Sequence, residues 1–208
     1  MKYLLLLLIT LSSFATLSCG DKKPANTKSG ANTEVKKGVA PVADAEIAVI
    51  EMENSAAYGT IKIELYSNIA PKMVARFKEL AKEGVYNGVT WHRINDTVIQ
   101  SGDPLSKNDN PADDGTGKSN KPNVDAEFSD LHYETGIVGA ARGTENNSAN
   151  SQFFIMLKPE PKFDTRYTIF GKVIEGMNNV RTLSGVQPKE GERPVEPLRI
   201  KHISIVPR

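Results

Sequence analysis

The chain has 208 residues, 26 Lys and Arg against 25 Asp and Glu, a formal net charge of +1 and 39% hydrophobic residues. That length and balance fit one globular domain with a sizeable core and argue against bulk nucleic-acid binding. The single cysteine, Cys19, excludes an internal disulfide, so the folded part must stand on its core alone.

Met1, Lys2 and Tyr3 precede an apolar run over 4–9 that fades by Leu17. This reads as a secretory signal over 1–18, too short to span comfortably as a mature membrane helix. Thr16-Leu17-Ser18-Cys19-Gly20 resembles a bacterial lipoprotein cleavage site, although Thr16 stands where that pattern prefers Leu. The resemblance implies an acylated Cys19 and a cell-envelope lipoprotein, facing the periplasm or the surface. Ordinary signal cleavage nearby is the alternative. Residues 19–45 are rich in Lys, Ala, Asn, Thr and Gly with no periodic apolar face, so the expectation is a lipidated cysteine and a flexible tether. Such a tether reaches about 25–30 Å root-mean-square.

The folded domain is expected over 46–208. A β-like run at 46–53 is followed by Ile61, Ile63 and Leu65 alternating with Lys62, Glu64 and Tyr66, a half-buried strand; residues 54–59 between them predict a hairpin turn. Pro71 opens a helix whose Val74, Phe77, Leu80 and Ala81 share one stripe, with Gly84 at its exit. Two short runs, 91–94 and 97–99, flank a turn at Asn95-Asp96. Residues 103–123 form a long polar loop whose aspartates fail the calcium-loop spacing. Its Gly115-Thr116-Gly117 lacks the Gly-Lys-Ser/Thr of a phosphate cradle. Strands resume at 136–141, 152–156, 168–174 and 200–206, with a second helix near 176–183. About eight short strands with two separated helices predict an all-β closed eight-stranded antiparallel barrel capped by two α-helices. A barrel of this size is filled by side chains, which puts any ligand site on its outside.

Trp91-His92-Arg93, Gln100-Ser101-Gly102-Asp103, Ser151-Gln152-Phe153-Phe154 and Tyr167-Thr168-Ile169-Phe170-Gly171-Lys172-Val173, in this order, resemble the cyclophilin family of peptidyl-prolyl cis-trans isomerases over about 46–206. The resemblance agrees with the barrel. It implies Arg93 as the donor to the proline nitrogen, with Gln100 beside it binding substrate backbone. His92 counts as a catalytic candidate, with a packed structural role as its alternative. Val98, Phe154, Phe163 and Tyr167 would line a proline pocket, and Ala141 and Arg142 the edge that pairs with substrate. Two departures stand out: Thr97 in a shortened loop where a pocket Phe is expected, and Lys162 where many members carry Trp. The implied partners are proline-containing polypeptides and, through Cys19, a membrane; no cofactor, metal or nucleic acid is expected, and the chain reads as a monomer. A lipid-tethered proline-segment binder or chaperone with weak turnover is the rival reading. His92, Asp103 and Ser151 contain the ingredients of a hydrolase triad, but no Gly-x-Ser-x-Gly elbow surrounds Ser151.

Overall fold

The computed structural model describes residues 34–208 except positions 109 and 188, so Cys19 and the predicted signal lie outside the described residues. Eight strands form one antiparallel sheet in the order β10-β1-β2-β7-β5-β6-β4-β3. They are β1 (Glu46–Met52), β2 (Thr60–Leu65), β3 (Arg93–Ile94), β4 (Val98–Ser101), β5 (Ile137–Ala140), β6 (Phe153–Met156), β7 (Ile169–Glu175) and β10 (Ile200–Pro207). The sheet curls until its outer strands approach each other. The gap between the β3 and β10 ends is bridged by main-chain bonds flanking those strands: Gly88 N–H to Ile200 O at 2.8 Å, Ile200 N–H to Val89 O at 2.8 Å, and Trp91 N–H to Leu198 O at 3.0 Å. The expected barrel is thus a curled sheet laced shut by segments just outside the strands.

Alternation sorts side chains between the two faces of this sheet. Ile61, Ile63 and Leu65 of β2 are fully buried, as are Phe153 and Ile155 of β6, all in the barrel core. The helix α2 (Pro71–Lys82) plugs one end with Phe77, which meets Phe153 edge-on at 5.3 Å and Phe170 at 5.2 Å. Its first turn has no cap of its own. Glu127 supplies one from a distant loop, accepting from Lys72 N–H at 3.1 Å and Met73 N–H at 3.0 Å. A carboxylate there satisfies orphan donors and complements the helix dipole. The helix α3 (Met177–Ser184) buries Val180 and Leu183 near the β2–β7 side.

Three expectations change. The 54–59 connection contains a single helical turn, α1 (Ser55–Tyr58), so the described residues hold three α-helices rather than two. A small hairpin, β8 (Lys189–Glu190) and β9 (Arg193–Pro194), was not expected at all. Residues 36–44, expected to belong to a flexible tether, are held against the domain. Lys36 N–H donates to Phe128 O, Asp130 N–H donates to Lys36 O, and Lys36 Nζ reaches Ile69 O at 2.6 Å. Further along, Val42 N–H bonds Asn68 Oδ1, Asp44 N–H bonds Leu65 O, and the Asp44 carboxylate holds Ser67 Oγ and Lys78 Nζ. Residues 36–44 therefore form a strap docked by main-chain and polar contacts. Such docking leaves no apolar periodicity for a sequence reading to find.

Candidate active site

Register assembles the site. Arg93 on β3 pairs with Gln100 on β4, Gln100 pairs with Phe154 on β6, and Phe154 pairs with Gly139 on β5. Cross-strand partners share a face about 5 Å apart. A guanidinium, an amide and an aromatic ring thus stand in one transverse row. That row is on the outer face: Phe154 and Val98 belong to an apolar cluster separate from the barrel core, while Phe153 and Ile99 point inward.

Around Phe154 lies an aromatic box. Tyr133 stacks on it at 5.8 Å, and Phe163 and Tyr167 meet it edge-on, each at 5.7 Å. Val98 is buried at the base, and Ala141 packs on the rim. Gly139 is required here: a Cβ would lie 2.3 Å from Phe154 Cζ and 2.7 Å from the Tyr133 hydroxyl. Burial pushes the Tyr133 phenol well above its ordinary value, so it stays neutral. Arg142 lies 4.8 Å over the Tyr167 ring and is tied to Arg166 O through Nε and Nη2. The Ala141 N–H is already taken by Gln152 O at 3.0 Å.

Next to the box is an open cavity of about 400 Å³ lined largely by polar residues, among them Gln100, Asn150 and Gln152, with Ala141 and Arg142 shared between the two. Gln152 organises the junction. Its Oε1 accepts from Gln100 Nε2 at 2.9 Å, and its Nε2 donates to Gly115 O and Gly117 O at 3.0 and 2.8 Å. The loop carrying those carbonyls is pinned by Asp103, fully buried, which accepts from the N–H groups of Leu105, Gly115 and Gly117. A Cβ on Gly117 would fall 2.0 Å from Asp103 Oδ1, so the loop can approach this carboxylate only with glycine there.

The Arg93 side chain is 45% exposed. Its Nε donates to Glu192 Oε2, and its Nη1 lies 3.4 Å from Gln100 Oε1. Glu192 sits in the two-residue turn of the β8–β9 hairpin. Hydrogen bonds from Asn95 and Arg93 hold its carboxyl below the usual glutamate range. His92 is 6% exposed beneath Gly115, its ring nitrogens make no hydrogen bond of normal length, and burial lowers its pKa despite Asp103 and Asp114 nearby. It packs as a neutral ring. Ser151 Oγ is likewise buried without a partner, so it pairs with no base and the His92–Asp103–Ser151 triad is not assembled. Thr97 is half-buried, its N–H capped by Asn95 Oδ1 in a tight turn, and Lys162 is exposed. Among the described residues, no three His, Cys, Asp or Glu side chains gather as metal ligands.

Residues 49–205 match the family model described as cyclophilin type peptidyl-prolyl cis-trans isomerase/CLD. The chain belongs to the cyclophilin family. A probable peptidyl-prolyl cis-trans isomerase of Brucella suis is 46% identical to this cyclophilin over 127 residues, which are 59% of this chain and 65% of the Brucella protein. A peptidyl-prolyl cis-trans isomerase of Schizosaccharomyces pombe is 40% identical over 161 residues, 74% of this chain and 96% of the yeast protein. Among solved structures, a cyclophilin type isomerase of Cryptosporidium parvum, crystallised in the presence of the dipeptide Ala-Pro, superposes with a TM-score of 0.68 at 29% identity. That match covers 76% of this chain and 98% of the other.

Of the residues the resemblance implied, Arg93, Gln100, Val98, Ala141, Arg142, Phe154, Phe163 and Tyr167 come together on the outer face, while His92 packs beneath Gly115. Sequence reasoning missed Tyr133, Gln152 as a junction residue, and Glu192. Gln152 lay inside a quoted motif. The signal for Glu192 was a Glu190-Gly191 pair at a tight turn, too faint between two-residue strands.

Proposed function

We propose that this cyclophilin catalyses cis-trans rotation of X-Pro bonds in polypeptides. The transverse row of Arg93, Gln100 and Phe154 beside an aromatic box carries the reading. The amide barrier of about 18–20 kcal/mol reflects partial double-bond character. No bond breaks during rotation, so the site needs no nucleophile or base, and none is assembled. It needs an apolar seat for the proline ring, which the box of Tyr133, Phe154, Phe163 and Tyr167 supplies, and a permanently charged donor for the nitrogen lone pair, which Arg93 supplies. The polar cavity past Ala141 takes the flanking chain. A gain of about 10⁵-fold asks these groups for roughly 7 kcal/mol of preferential stabilisation of the twisted amide.

A proline-isomerisation assay tests this directly. Wild-type protein is expected to accelerate exchange, and Arg93→Ala to lose about 10²–10³-fold, as removal of a comparable transition-state donor does. Full turnover in folded Arg93→Ala would end the mechanism and favour a proline-segment binder that assists folding by holding.

The same proposal extends to place. The Thr16-Leu17-Ser18-Cys19 sequence supports an acyl anchor on Cys19 and a cell-envelope position, with exported proteins as clients. One acyl chain binds membranes marginally and two anchor stably. Mass spectrometry of detergent-extracted protein is expected to find a lipid adduct at position 19 that Cys19→Ser lacks; equal release of both proteins from membranes would remove the anchor.

A further inference from the structure

The tightest restraint on Arg93 does not come from its strand neighbour. Gln100 Oε1 stands 3.4 Å from Nη1, a long contact, and Gln100's own amide is committed to Gln152 at 2.9 Å. The Nε edge, by contrast, is taken by a carboxylate, and charge-assisted bonds are roughly twice as strong as neutral ones. Glu192 is held in turn from several sides. Its backbone O accepts from Ile94 N–H at 2.6 Å, and its other carboxylate oxygen accepts from Asn95 Nδ2 at 2.9 Å. The neighbouring Arg193 anchors the hairpin by a 2.7 Å pair to Asp114, whose side chain is only 6% exposed.

These contacts close a ring. It runs from the hairpin to Arg93, Gln100 and Gln152, through the carbonyls of Gly115 and Gly117, and back by Asp114 and Arg193. His92 packs against Gly115 beneath the loop. A half-exposed arginine would otherwise sample several rotamers. Because Glu192 occupies Nε, the terminal Nη edge is the part of the fork left to meet a ligand.

We propose that Glu192 is a positioning residue for Arg93. The β8–β9 hairpin presents a carboxylate that fixes the guanidinium plane with its Nη edge toward the groove. The proposal rests on the isomerase reading above. It places a determinant of turnover on a hairpin 99 residues from the arginine it serves.

The test is Glu192→Gln, alone and combined with Arg93→Ala, with kcat and KM measured separately and the Arg93 Nε–H resonance followed by ¹⁵N NMR. An exposed pair of this kind corresponds to a fall of about two- to fivefold in kcat with KM little changed. The Nε–H signal should move or broaden in Glu192→Gln, and the substitution should have no further effect in Arg93→Ala. An unchanged kcat with the Nε–H signal altered would overturn the proposal. So would the same loss of kcat in both backgrounds, which is the mark of a merely structural hairpin. Failure of the isomerase reading is separable: it shows as full turnover in Arg93→Ala, whatever Glu192→Gln does.

Discussion

Arg93 and Glu192 are 45% and 47% exposed, and an ion pair this wet contributes about 0–1 kcal/mol. A structural role for Arg93, in which truncation strands a buried charge, is therefore ruled out by magnitude. Arg93→Ala should melt within a few degrees of wild type in a calorimetric scan while its turnover falls, and a large melting drop would contradict this. The opposite pattern is expected at Gly139. A methyl group there must displace Phe154 or Tyr133, at a cost of about 1–3 kcal/mol for an overpacked site. Gly139→Ala should lose both stability in urea titration and activity, because the ring it pushes belongs to the box proposed to seat the proline. Arg93, Gln100 and Phe154 were legible because ordered motifs sit on strands whose register follows from alternation. Glu192 was not legible. Its strands are two residues long, carry no apolar period, and meet Arg93 only through tertiary contact.

Elements with a buried stripe were readable to within a residue or two. The alternation of Ile61, Ile63 and Leu65, and the stripe of Val74, Phe77, Leu80 and Ala81, correspond to β2 and α2 as observed. The strap over 36–44 was misread because it docks without burying apolar side chains. Deleting residues up to 45 should lower the melting temperature by more than a few degrees, and an unchanged midpoint would show the docking to be energetically empty. Within the strap, Asp44 and Lys78 are 13% and 18% exposed. Burial opposes ionisation of Asp44, but bonds from Lys78 and Ser67 outweigh it and hold the carboxyl below its ordinary 3.8. A depressed carboxylate contributes stability above its unfolded pKa and loses it as pH falls through the lower folded one. Asp44→Asn should thus cost about 1.5–3 kcal/mol at neutral pH. The gap between variant and wild type should narrow only below the ordinary carboxylate range, as measured by denaturant unfolding at a series of pH values.

Across the molecule, the ring next to Arg93 in sequence, His92, is buried and neutral, while His132, raised by its bond to Asp164, stands exposed beside the aromatic box. Burial lowers the His92 pKa below its ordinary value. Turnover should therefore be flat between about pH 6 and 8 and indifferent to chelators; a transition near about 6.5 would implicate a histidine. The barrel was legible as a class, since short alternating strands with two helical stripes admit few architectures. Its manner of closure was not, because the bonds that lace it come from residues 88–91, which belong to no strand. That closure also governs the order in which the molecule can be made. β1 pairs with β10, whose Lys201 bonds Glu51 across 150 positions, and the same β10 end holds the segment leading into Arg93. At typical synthesis rates the first strand waits roughly 8–30 s for this partner. Until then the β1 edge of the sheet is bare, and the 88–91 segment that leads into Arg93 lacks its main-chain partners. The fold is thus completed late in synthesis, and a nascent chain stalled before residue 200 should be protease-sensitive and inactive.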